Sequence, residues 1–338
     1  MAEAITKSPK RVAVLGAAGL VGSEILKVLE QRSFPVSELI PLGSERSAGQ
    51  AVEFCGQKYA VAAVDDASFD DVDIALFAVG LTISKRWAPM AVSAGAVVID
   101  CSAAWRMDPT VPLVVPEVNP DDLHWHRGII ASPGCSSIQA ILPLYALHKA
   151  AELVHVSCSA YLSVSGTGKE ASDALAAGSR ELLDCREPSH NLVYQHPIAF
   201  DLIPHIGVFD QDGVTEEEWR VVRESHKVMR LPDLRVSCTA VRVPVFRGHG
   251  ESIVASFKRP ISPGEVREVL SSAPGVEVMD IPGDSVYPRP RYCVGKDPVY
   301  VGRIRADTGA DGSIAMWVVC DNLRKGGALN AVQIAELL

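Results

Sequence analysis

Nowhere in this chain of 338 residues is there an apolar run of about 18 residues, the length a helix needs to cross a bilayer. Met1 to Lys10 is polar and has no apolar stretch of the kind a secretory signal requires, so a cytoplasmic protein is expected. Positive charge is in deficit: 32 Lys and Arg stand against 41 Asp and Glu, for a net charge of −9. A protein without a basic field does not attract phosphate backbones or anionic lipid, so neither nucleic acid nor membrane is expected as a partner. Any anionic substrate must instead be held by locally placed Arg or Lys. The eight cysteines include no Cys-x-x-Cys pair, which excludes a zinc ribbon and argues against a disulfide framework. The His124-x-His126 pair lacks further metal-ligand spacing, and no metal site is expected. Internal repeats, low-complexity tracts and linkers are also missing.

What is present is an ordinary globular composition, 48% hydrophobic and 22% charged, at a length that suggests two domains. Parallel-strand candidates are Arg11–Leu15, Leu39–Leu42, Asp73–Val79, Ala96–Asp100 and Gly128–Ala131, with helical stretches such as Ser23–Arg32 and Ser84–Ala94 between them. Strands alternating with helices predict an α/β fold with a Rossmann-like doubly wound parallel sheet. After about residue 150 the strands lengthen and alternate: Leu153–Val164, Leu234–Val245, Ile253–Lys258, Tyr300–Arg305 and Ser313–Val319. With helices at Thr215–Met229 and Pro263–Ser271, this half reads as an α+β domain built on a mixed sheet. An amphipathic helix is expected over Asp321–Leu338.

Three groups of residues suggest chemistry. Gly16-x-x-Gly19-x-x-Gly22, after a strand and at the start of a helix, resembles a dinucleotide fingerprint, in which glycines let a pyrophosphate reach the backbone of Leu20, Val21 and Gly22. At the end of the second strand, Ser44, Arg46 and Ser47 suit a ribose 2′-phosphate, and the lone Glu45 opposes this only weakly, so NADP is favoured. Cys135 follows Pro133-Gly134 at a strand-to-helix junction, where unpaired N–H groups favour a thiolate nucleophile. Pro143 is expected to kink the helix that follows. Arg242 after an apolar strand suits a substrate carboxylate, and His249 in Arg-Gly-His-Gly reads as a proton carrier on a flexible loop. Most of the charged helix carrying Glu217, Glu218, Arg220, Arg223, Glu224 and Lys227 reads as a solvated face. Glu224 and Lys227 can nevertheless meet an amino acid together.

These residues resemble the aspartate-semialdehyde dehydrogenase family nearly end to end. The likeness is carried by Gly16–Gly22, Arg46–Gly49, Arg106 with Val111–Asn119, Ser132–Ser137, Ser165-Gly-Thr-Gly168, Ala199–Pro204, Arg242–Val245 with His249, Val301–Arg305 and Asp321–Glu336. The resemblance implies a homodimer whose NADP-binding domain comprises residues 1–138 and 320–338 and whose substrate-binding and dimerisation domain comprises 139–319. It implies reduction of aspartyl-β-phosphate by NADPH through a thioester on Cys135, with His249 passing protons. Arg242 then matches the α-carboxylate site, Glu224 the amino-group site, and Lys227 with Arg106 the phosphate site. Ser165, Gly166 and Asn322 match residues on the cofactor side. Two departures stand out: Gly134 where the family usually has Asn, and Leu162 where it usually has Gln. Losing one preorganised contact to the acyl oxygen costs about 2–4 kcal/mol in rate. Another acyl-phosphate or acyl-CoA reductase, or a catalytically impaired paralogue, therefore stays open as an alternative.

Overall fold

The computed structural model describes residues 8–188 and 193–338, so the first seven residues of the polar start lie outside it. The chain forms two compact units. The first contains the chain to Pro116, Pro120–Pro133 and Gly327–Leu338; the second contains Glu117–Asn119 and Gly134–Gly326.

Six strands build the parallel sheet of the first unit: β1 (Lys10–Leu15), β2 (Val36–Gly43), β5 (Ala62–Ala63), β6 (Ile74–Phe77), β7 (Val97–Asp100) and β8 (Ile129–Ala131). Strands β3 (Ala51–Phe54) and β4 (Gln57–Ala60) make a separate antiparallel hairpin. The sheet order is β5-β2-β1-β6-β7-β8. Strand β1 is apolar on both faces because both are covered. Val12 and Val14 pack with Ile25, Leu26 and Leu29 of α1 (Leu20–Gln31) and with the C-terminal helix Leu329–Glu336. Ala13 and Leu15 pack with Trp87, Ala88 and Ala91 of α2 (Leu81–Ser93). The chain leaves β1 for β2 on one side and later returns to β6 on the other. This reversal opens a crevice at the carboxyl end of β1, where doubly wound sheets bind ligands.

The second unit carries a mixed sheet in the order β10-β9-β11-β14-β13-β12. Its strands are β9 (Leu153–Ser163), β10 (Arg235–Val243), β11 (His249–Phe257), β12 (Val276–Val278), β13 (Val299–Ala306) and β14 (Ser313–Cys320). Its helices are α3 (Cys135–Ala151), α4 (Lys169–Leu183), α5 (Glu216–Met229), α6 (Pro263–Ser271) and α7 (Pro290–Cys293). Helices α3, α5 and α6 pack on the sheet, and alternate residues of β9 (Val156, Cys158, Ala160, Leu162) are buried. Helix α5 starts where Thr215 and Glu218 form a reciprocal capping box.

The structure amends the sequence reading at His249 and at the last helix. His249 is not on a loop: it is the first residue of β11, paired with Cys320. Arg242 lies within β10, inside the strand expected over Leu234–Val245, and is paired with Leu162. Helix α3 runs from Cys135 to Ala151 with Pro143 inside it. The last helix begins only at Leu329, behind a π-helical turn at Arg324–Ala328. The charged face of α5 is also less solvated than its composition suggests, because Glu217, Glu218 and Glu224 are buried.

Candidate active site

In the first unit, the turn after β1 has no room for side chains. A Cβ on Gly16, whose φ is +89°, would lie 2.4 Å from the Ala78 carbonyl oxygen, and one on Gly22 would lie 2.1 Å from the Gly16 oxygen. Gly16 is fixed by its positive φ and the close approach of the chain leaving β6, and Gly22 by the close approach of α1 to the turn. Gly19 is the N-cap of α1 and supplies no side-chain cap, which leaves first-turn N–H groups directed at the crevice. A cavity of about 350 Å³ opens there, lined among others by Gly16, Gly19, Ser44, Arg46 and Ser47. Glu45 is exposed and does not line it. The cradle that a Cβ would fill and the uncapped helix start fit a dinucleotide pyrophosphate. Gly22→Val should therefore abolish detectable cofactor binding in a fluorescence titration; retained affinity would dissociate the glycine turn from the cofactor.

In the second unit, the nucleophile turn is held from three sides. Gly134, the N-cap of α3, is extended at φ −65° and ψ 154°, and Cys135 is the first helical residue. The Gly134 N–H donates to Glu224 Oε2 at 2.7 Å, and the Ser136 hydroxyl donates to Glu217 Oε1 at 2.6 Å. Seven residues apart on α5, these two carboxylates grip the turn on either side of the thiol. From the π-helical turn, Gly326 comes so close that a Cβ there would be 2.6 Å from that of Cys135. The Cys135 Sγ lies 3.1 Å from His249 Nε2. Burial and then the nearby Arg242 charge push the imidazole of His249 down to about 3, so it is neutral at pH 7.

Arg242 is buried beside this pair. Its Nη1 donates to the Ser163 carbonyl oxygen at 2.7 Å, and its guanidinium sits 5.7 Å from the Tyr194 ring centroid. Its Nε is buried with no acceptor among the described residues. A buried cation with an unsatisfied donor is a prepared site for an anion. Gly166 leaves the approach open, since its Cβ would stand 3.3 Å from Arg242 Nη1 and 3.5 Å from His249 Cε1. Asn322 and Ser165 share a hydrogen bond of 3.0 Å next to His249. Lys227 lies on α5 beyond Glu224. Arg106 belongs to the first unit, where it donates to the carbonyl oxygens of Ser132 at 2.9 Å and Cys101 at 2.7 Å.

Sequence reasoning missed Ser163, Glu217, Gly326 and Glu251. The seven-residue spacing of Glu217 from Glu224 was a readable signal; the others had none. Glu251, fully buried, has no hydrogen-bond partner on either carboxyl oxygen among the described residues. Burial raises its carboxyl well above the usual value of 4.5, so the folded chain keeps a proton that the unfolded chain releases. Its contribution to stability is thus present below about pH 4.5 and is lost as pH rises through the folded value. Glu251→Gln should raise the thermal midpoint at pH 8 relative to that at pH 5; an equal shift at both would show that Glu251 does not titrate on unfolding.

Residues 11–126 match the family described as semialdehyde dehydrogenase, NAD binding domain, and residues 144–325 match semialdehyde dehydrogenase, dimerisation domain. The chain is 49% identical over 331 residues to an aspartate-semialdehyde dehydrogenase of Aquifex aeolicus, covering 97% of each. It is 45% identical over 334 residues to that of Bacillus subtilis, covering 97% of this chain and 96% of the relative. Among solved structures, aspartate semialdehyde dehydrogenase II of Vibrio cholerae complexed with ASA superposes with a TM-score of 0.95 at 41% identity, over 98% of both chains.

Proposed function

The chain belongs to the aspartate-semialdehyde dehydrogenase family, and we propose that it reversibly reduces aspartyl-β-phosphate to aspartate β-semialdehyde through a thioester on Cys135. The observation that carries this reading is the Cys135–His249 contact of 3.1 Å at the start of α3, next to the unsatisfied Nε of Arg242. A nucleophile, a proton carrier and a buried carboxylate site are the parts that thioester chemistry on an amino acid needs.

Cys135, as thiolate, attacks the acyl carbon; the C–S bond forms and the acyl C–O bond to phosphate breaks, releasing phosphate. When bound, the nicotinamide dinucleotide supplies or accepts the hydride. His249 moves the proton at Nε2. Arg242 grips the α-carboxylate, and Glu224, with one oxygen anchored by Gly134, faces the amino group. Lys227 and Arg106 take the phosphate. Gly16, Gly19 and the N–H groups of Leu20, Val21 and Gly22 hold the pyrophosphate, while Ser44, Arg46 and Ser47 select NADP through its 2′-phosphate. Ser165, Gly166 and Asn322 border the nicotinamide. The chain works as a homodimer paired through its second unit, in the cytoplasm. No helix among the described residues is long and apolar enough to cross a membrane.

An amino-acid substrate is favoured over an acyl-CoA because the latter has no use for Arg242 and Glu224 together. The reading is tested by NADP reduction with aspartate β-semialdehyde and phosphate. Turnover that requires phosphate, and prefers NADP to NAD at least tenfold in kcat/KM (about 1.4 kcal/mol), supports it. Turnover without phosphate, or with acyl-CoA alone, overturns it.

A further inference from the structure

His249 has two nitrogens with different partners. Nε2 faces the thiol, whereas Nδ1 lies 3.1 Å from the backbone N of Ser163 and 3.1 Å from its hydroxyl oxygen. These two groups of Ser163 favour opposite tautomers. The backbone N–H can only donate, so it favours a bare Nδ1 and places the ring proton on Nε2. In that form the imidazole cannot take the proton of Cys135. A hydroxyl both donates and accepts. Ser163 Oγ can therefore accept from Nδ1–H, provided its own hydrogen has somewhere to go. The oxygen of Asn322, 3.2 Å away, is that acceptor, and it is fixed in orientation by the Gly248 N–H at 2.8 Å. Ser163 is fully buried, and its hydroxyl is the side-chain partner of Nδ1, while a backbone hydrogen bond with Gly248 also favours a protonated ring.

We propose that Ser163 is a positioning residue for the reaction, the third member of a Cys135–His249–Ser163 relay whose hydroxyl holds His249 in the tautomer that acts as a base. With the proton on Nδ1 and given to Ser163 Oγ, Nε2 presents its lone pair to Cys135. The S–H bond breaks, Nε2–H forms, and the electron pair stays on sulfur. The resulting imidazolium keeps both hydrogens satisfied, one on the thiolate and one on Ser163, while Asn322 receives the serine hydrogen. The arrangement follows the logic of serine hydrolases, in which a third group sets the tautomer of the base; there a carboxylate does it, and its replacement costs about 10⁴-fold. A neutral hydroxyl gives a smaller effect. Ser163 also stands beside Leu162, the position at which a hydrogen-bonding side chain is missing relative to the family.

The inference rests on the dehydrogenase reading for its effect on turnover, but alkylation of Cys135 by iodoacetamide reports the thiolate without substrate or cofactor. In the full-length protein, Ser163→Ala should slow alkylation at neutral pH by roughly tenfold. In a His249→Asn background the same substitution should change the rate less than twofold, because its effect passes through the imidazole. Where the wild type turns over, Ser163→Ala should lower kcat by a similar factor and leave the KM for aspartate β-semialdehyde within about twofold. An alkylation rate unchanged by Ser163→Ala, or slowed by the same factor with and without His249, would overturn the proposal. An inactive wild type whose alkylation still responds in this way would instead remove the proposed substrate and leave the relay standing.

Discussion

Cys135→Ala leaves cofactor binding intact and removes phosphate-dependent turnover below detection. The two effects separate because the parts lie in different units: the glycine turn and its cavity are built from the first, the thiol from the second. The thiol is the group at the start of α3 that meets the His249 base; Ser136 is fully buried with its hydroxyl committed to Glu217, and the hydroxyl of Ser137 is fully buried as well. Removing a nucleophile that forms a covalent intermediate typically costs on the order of 10⁶ in kcat, far beyond what positioning alone contributes. Fluorescence titration with NADPH and a progress curve on the same sample check both halves. Residual turnover within a hundredfold of wild type would mean that hydride transfer does not pass through Cys135.

The second large effect belongs to Arg242. Its Nη1 is held by the Ser163 carbonyl, whereas its Nε has no acceptor among the described residues, so the cation is anchored at one edge and open at another. Arg242→Leu removes a fork that a carboxylate would fill and leaves that carboxylate facing an apolar surface. Truncating one partner of a buried charge pair costs about 2–5 kcal/mol, so kcat/KM should fall by roughly 10²–10³ with KM carrying most of the loss. Arg242→Lys should recover little, because an ammonium cannot reproduce the planar fork. The substitution has a second consequence of opposite sign. The guanidinium is one of the two causes that push His249 down to about 3, so its removal should raise the imidazole toward its ordinary value. Iodoacetamide alkylation of Cys135 across pH would show this as an altered profile even where substrate binding is lost.

Much of the fold was legible because both periodicities are strong. The continuous apolar run of β1 announced a strand covered on both faces, and the alternation in β9 announced one buried face. Gly16 and Gly22 were legible as a turn because no other residue fits there. Cys135 was legible because a thiol after Pro-Gly at a helix start has few structural reasons to be there. The setting of His249 was not. Arg-Gly-His-Gly reads as a loop, yet Gly250 is there because a Cβ would strike Trp317 at 2.5 Å, which is a packing requirement inside a sheet. Nor did the sequence show that Glu217 and Glu224 hold the nucleophile turn. Acidic residues on an amphipathic helix look alike until the partner helix is in place. Ser163 was illegible for a different reason: its role depends on a ring nitrogen 86 positions away, and nothing local distinguishes it from any serine at a strand end.

The most direct test of the covalent route is intact mass of the protein after mixing with NADP and aspartate β-semialdehyde in the absence of phosphate. The expected result is a single aspartyl adduct on Cys135, formed together with NADPH and discharged when phosphate is added. NADPH formed with no adduct, or an adduct that persists in Cys135→Ala, would contradict the thioester mechanism.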